Sequence, residues 1–172
     1  WPLVNDGSRT LQQTDTSTDA RLLYGTDAAD QIVQIRAKAT QFDGADRWFG
    51  LVTRYSDANN YYYVTARSGG GIHLKRMLGG TFTTLGTAPL PVAIGATRRI
   101  RLEAVGDHIR VLVNNRPVIR VRDSSIAGGG QPGIMMFRTQ ADYDNLVVNE
   151  NPAFTATVDD FERLTFDWNV VA

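Results

Sequence analysis

RYSDANNYYYVTARSGGGIHLKR, residues 54–76, is the stretch that decides the fold. Tyr61 to Arg67 is aromatic and β-branched, and Ile72 to Arg76 alternates apolar with basic; both are strand compositions. The segments Asp57-Ala58-Asn59-Asn60 and Ser68-Gly69-Gly70-Gly71 are turn chemistry, with side chains that bond nearby backbone and residues that accept positive φ. Three adjacent β-strands are therefore predicted, Arg54 and Tyr55 closing the first. Their surface is rich in Tyr, Arg, Lys and His. It suits a hydroxyl-rich or acidic ligand, because tyrosine offers an apolar face with a polar tip while arginine and lysine offer only donors.

Outward from this stretch the pattern stays two-fold. Val33, Ile35 and Ala37 alternate with Gln34, Arg36 and Lys38, and Ile100, Leu102 and Ala104 alternate with Arg99, Arg101 and Glu103, as in half-buried strands. Ile109 to Val113 and Pro117 to Val121 flank Asn114-Asn115, a hairpin turn that tolerates positive φ. With Ala20 to Tyr24, Asp46 to Tyr55, Thr81 to Leu85, Ile134 to Arg138 and Tyr143 to Asn149, about a dozen short strands are expected. That spacing predicts an all-β, two-sheet antiparallel sandwich in one domain, residues 1–172. Crossover helices, which a parallel sheet requires, are missing from the pattern.

Composition agrees with a soluble globular domain: 172 residues, 42% hydrophobic and 21% charged. Formal net charge is zero, so neither nucleic acid nor an anionic membrane is an expected partner. There is no cysteine, hence no disulfide framework and no thiolate metal site. No apolar run approaches the roughly twenty residues of a membrane helix, and the start lacks the basic-then-apolar plan of a signal peptide; a mature or trimmed soluble chain is the expectation.

The period of two also phases the opening stretch. If Tyr62, Val64, Ala66, Ile72 and Leu74 face the core, then Tyr61, Tyr63, Thr65, Arg67, His73 and Lys75 share the outer face. On the preceding strand Phe49, Leu51, Thr53 and Tyr55 are the expected inward set, leaving Trp48, Gly50, Val52 and Arg54 outside, with Gly50 small enough to let a ligand approach the sheet. A bulge would invert such a phase. The candidate carbohydrate-binding residues are thus Trp48, Arg54, Tyr61, Tyr63, Arg67, His73 and Lys75. A sugar ring would stack on Trp48 or a tyrosine while the arginines bond hydroxyls or a carboxylate. On this reading Trp48→Ala and Arg54→Ala should each weaken binding without disturbing the fold.

The pieces FGLVTRYSDANNYYYVTAR, IRLEAVGDHIRVLVNNRPV, PGIMMFRTQADYDNLVV and GSRTLQQT resemble the laminin-G-like jelly rolls of the concanavalin A-like lectin/glucanase superfamily. The resemblance spans nearly the whole chain and implies a jelly roll. It also implies a secreted carbohydrate-binding module that accompanies a polysaccharide-degrading enzyme, with polysaccharide as partner. Members of this group usually open with an Asp-Phe-Glu segment and a Trp strand. Here Asp160-Phe161-Glu162 and Trp168 stand within residues 151–172. The order implies circular permutation, or a cut through a tandem array.

The resemblance further implies a structural calcium at Asp144, with Asp159 or Asp160 as second contributor. The Glu-x-Asp-x-x-Glu strand of the superfamily's glucanases is absent. So are the Arg-x-Glu-x-Arg and Gln-Ile-His motifs of its alginate lyases, although Arg54, Arg67, Tyr63, His73 and Lys75 are residue types that a uronate lyase would use. Three readings stand: a noncatalytic carbohydrate-binding module, a polysaccharide lyase, and a protein-binding adhesion module.

Overall fold

The computed structural model describes residues 1–5, 9–17 and 19–150. Residues 151–172, with the Asp159 and Asp160 ligand expectation and the permuted order, lie outside the described residues. Among those described there is no helix. Thirteen strands run β1 (Leu3–Asn5), β2 (Arg9–Gln13), β3 (Asp19–Leu23), β4 (Gln31–Phe42), β5 (Trp48–Asp57), β6 (Asn60–Arg67), β7 (Ile72–Leu78), β8 (Thr81–Ala88), β9 (Arg98–Val105), β10 (His108–Val113), β11 (Arg116–Arg122), β12 (Gln131–Phe137) and β13 (Thr139–Glu150). They form a seven-stranded sheet in the order β1-β2-β13-β4-β9-β10-β11 and a six-stranded sheet in the order β3-β12-β5-β6-β7-β8. Every pairing is antiparallel. The predicted all-β sandwich is what the chain forms.

Alternation builds the core. Val33, Ile35 and Ala37 of β4, Ile100 and Leu102 of β9, and Ile109 and Val111 of β10 meet Phe49 and Leu51 of β5, Tyr62 and Val64 of β6, Ile72 and Leu74 of β7, and Ile134 and Met136 of β12. Each large apolar side chain withdrawn from water in this layer stabilises the fold by about 1.5–3 kcal/mol. The two sheets are also tied by polar bonds at one margin. The Tyr62 hydroxyl of β6 donates to Asp123 Oδ1, just past β11, at 2.6 Å, and Arg76 of β7 donates to Asp123 Oδ2 at 2.5 Å.

The period breaks once where it matters. The β5–β6 register shifts between Thr53 and Asp57, and Arg54 takes a left-handed φ of 51°. This bulge turns Arg54 inward, where it is 1% exposed. Its guanidinium donates to the carbonyls of Ala29 at 2.6 Å, Ile126 at 2.7 Å and Gly106 at 2.7 Å, and lies 3.7 Å from the Asp30 carboxylate. Its backbone N–H donates to Gln31 Oε1 at 2.8 Å. The expectation that put Arg54 on the outer face and Tyr55 in the core is therefore corrected: the bulge exchanges their sides. β6 and β7 carry no such irregularity between Tyr61 and Arg67, and there the expected phase holds.

Candidate functional site

Cross-strand registers sort the outer face of the six-stranded sheet into ladders. Phe137, Trp48 and Arg67 lie in one. Arg21, Met135, Gly50, Thr65, His73 and Thr87 lie in the next. Leu23, Gly133, Val52, Tyr63, Lys75 and Thr84 lie in the third. Directly opposed side chains on one face have Cβ atoms about 4.5–5.5 Å apart, so Trp48 neighbours Arg67, and Tyr63 neighbours Lys75.

Aromatic rings run unbroken across these ladders. Ring centroids are 6.5 Å apart for Phe137 and Trp48, 5.7 Å for Trp48 and Tyr63, 5.3 Å for Tyr63 and Tyr61, and 5.2 Å for Tyr61 and Tyr55. Beneath the rings Val52 and Thr65 are wholly buried, and Tyr61 and Tyr63 keep only 7% and 6% of their surface. Trp48 and Tyr55 are half-buried, while Phe82 on β8 is 59% exposed. The rings with surface left open are thus Trp48, Tyr55, Phe82 and Phe137, the last beneath Arg47, and the two inner tyrosines support them. Tyr55, Phe82, Phe137 and Arg21 are additions to the expected set. Phe82 was readable as a lone aromatic in a threonine strand. Arg21 was not, because β3 joins this sheet only through its pairing with β12.

Cations frame the row. Arg21 lies over the Tyr55 ring at 5.2 Å and donates to its hydroxyl. Arg47 lies over Phe137 at 5.0 Å, and the Lys75 ammonium over Phe82 at 4.6 Å. Arg67 pairs with Asp46 of the neighbouring loop at 3.3 Å, an acid that is largely exposed. Burial pushes the Tyr63 hydroxyl up to about 12, with Tyr61 adding to burial and Arg67 opposing it. Burial, then Arg67 and Lys75, holds His73 below its ordinary value; burial, then Arg67, does the same to Lys75. At neutral pH the face therefore offers tyrosine hydroxyls that keep their protons, a neutral imidazole and two cations beside open rings. Such a set can stack a sugar ring and donate to its oxygens.

Gly50 has a reason other than the one expected. A Cβ there would lie 1.8 Å from the Val64 carbonyl oxygen, so glycine is what lets β5 and β6 approach each other.

Asp144 sits on the other sheet, paired in register with Arg36. With Thr10, Arg36, Lys38, Thr97 and Asp142 it lines a shallow cavity of about 130 Å³, and Lys38 pairs with Asp142 at 2.9 Å. Calcium takes roughly six to eight oxygen ligands. The described residues bring two carboxylates and two cations together here and do not by themselves make such a shell. Among them no cluster of three metal-ligating side chains forms.

No protein-family model matches the chain, and no curated protein does. Solved structures do. The carbohydrate binding module CBM66 from Bacillus subtilis superposes with a TM-score of 0.71 at 20% identity, over 81% of this chain and 86% of that one. The galectin LEC-6 of Caenorhabditis elegans gives 0.57 at 13% identity, over 81% and 96%. The GH43 protein BlXynB from Bacillus licheniformis gives 0.61 at 14% identity over 83% of this chain, which spans about a third (32%) of that protein. At these identities the likeness is one of fold: the chain is a jelly-roll β-sandwich of the kind these proteins share.

Proposed function

We propose that this domain is a noncatalytic carbohydrate-binding module that holds a polysaccharide against the outer face of its six-stranded sheet. The observation that carries the reading is the unbroken run of rings from Phe137 to Tyr55, with Arg67 and Lys75 directly across from Trp48 and Tyr63. Stacking on Trp48 and Tyr55 supplies contact area at small entropic cost, and the flanking donors set orientation. That two of the similar folds are named as a carbohydrate binding module and a galectin supports the same reading. Extracellular work beside a polysaccharide-degrading catalytic domain belongs to this proposal as its setting.

A lyase would need a base on this face. Tyr63 keeps its proton to about pH 12, which makes it a donor, and His73 is a weakened base between two cations. Binding without bond cleavage is the better match to those properties. The test is affinity electrophoresis through a panel of neutral and acidic polysaccharides, with the same mixtures followed for unsaturated uronate absorbance and new reducing ends. Retardation without either product is expected. New absorbance would replace the binding module with a lyase, and a panel with no retarded member would remove the glycan reading.

A further inference from the structure

Across the outer face, Arg21 of β3 stands at one edge over Tyr55, and the remaining strand-borne charges gather on β6 and β7. β6 brings Arg67, β7 brings His73 and Lys75, and β8 brings only threonines and Phe82 beside them. β5 presents Trp48, Gly50 and Val52 and β12 presents Met135, none charged. The acid that answers this group is Asp46, which among the described residues is bonded to Arg67. With His73 neutral, Arg67 and Lys75 against Asp46 leave one excess positive charge within this group, and Arg47 over the Phe137 ring adds a further cation near Trp48. Burial first, and then repulsion from Arg67 (with Lys75 also acting on His73), disfavours the charged forms of His73 and Lys75. A neutral sugar stacked on Trp48 would leave that charge uncompensated and partly desolvate it.

We propose that the ligand of this face is an acidic glycan, whose anionic group settles between Arg67 and Lys75 above His73 while a sugar ring stacks on Trp48. This rests on the carbohydrate-binding reading and sharpens it. A singly charged uronate carboxylate or sulfate ester balances the one excess cation, and the planar guanidinium of Arg67 is suited to two parallel bonds to either group. No bond is made or broken.

The test sets each acidic polymer against its uncharged counterpart: polygalacturonate and its methyl ester, glucuronoxylan and xylan, carrageenan and desulfated carrageenan. At least one acidic member is expected to bind roughly tenfold or more tighter than its counterpart. Whether that member carries carboxylate or sulfate names the group. The double variant Arg67→Gln with Lys75→Gln should erase the preference while the near-ultraviolet circular dichroism of the aromatic row stays native. Affinity for the acidic member should also rise as pH falls through the lowered value of His73, below the ordinary 6.5, where it becomes a third cation, and His73→Gln should flatten that rise. Equal binding of every charged and uncharged pair, or a preference that survives the double variant, overturns the acidic ligand and leaves the glycan module standing. Failure of all the polymers to bind overturns both.

Discussion

Three loop carbonyls converge on the Arg54 guanidinium in a place that water barely reaches. Arg54→Met would strand the buried Ile126 carbonyl and release those of the exposed Ala29 and Gly106 to water; leaving a buried polar group unpaired costs about 1–3 kcal/mol. We expect Arg54→Met to lower unfolding free energy by about 1–3 kcal/mol in urea titration, while the folded fraction still binds glycan. An unchanged denaturation midpoint would contradict the anchoring role. Trp48→Ala is expected to do the reverse: a stability change within about 1 kcal/mol, and roughly tenfold weaker retention of the glycan, since only the open ring is lost. The sequence could not separate these two residues. Both stood on the same phase of one strand, and only the left-handed φ at Arg54 sends one in and leaves the other out.

Between strands, close approach matters as much as side-chain pattern. A methyl group at Gly50 would sit 1.8 Å from the Val64 carbonyl oxygen and force β5 from β6. Gly50→Ala should therefore cost about 3 kcal/mol or more by thermal or chemical unfolding, and should weaken glycan retention because Trp48 and Tyr63 lie on the two parted strands. At the β10–β11 turn, Asn114 and Asn115 take φ of 52° and 66°. Asn115→Gly relieves the Cβ cost of that conformation and is expected to raise the melting temperature slightly; a fall would mean that the asparagine side chain is the stronger contributor. This turn was legible because Asn-Asn is a direct statement about backbone conformation. The phases of β6 and β7 were legible because their alternation is uninterrupted. The three-residue β1 and the placing of β3 beside β12 were not: one is too short to show a period, and the other is a pairing between segments over a hundred residues apart.

The whole molecule is two sheets joined by an apolar layer and sealed at one margin by Asp123. Burial pushes that carboxyl up, but the Tyr62 hydroxyl, the Ser125 amide and hydroxyl, and Arg76 together hold it below the ordinary 3.8. Because the folded value lies below the unfolded one, the stability it contributes is present above about pH 3.8 and is lost as pH falls through the lower folded value. Asp123→Asn should lower stability near pH 7 and should show less of this acid-side loss in melting curves between about pH 5 and about pH 2. A variant as acid-sensitive as the parent would assign the effect to other carboxylates. The bulge in β5 has a bearing on how such a domain can diversify. That single irregularity both presents Tyr55 to the outside and sends Arg54 to tie the loops. A deletion that straightened the strand would remove a platform ring and release three loops in a single event. On the proposed binding face, ligand preference would be free to drift through Trp48, Arg67 and Phe82, and locked at the bulge.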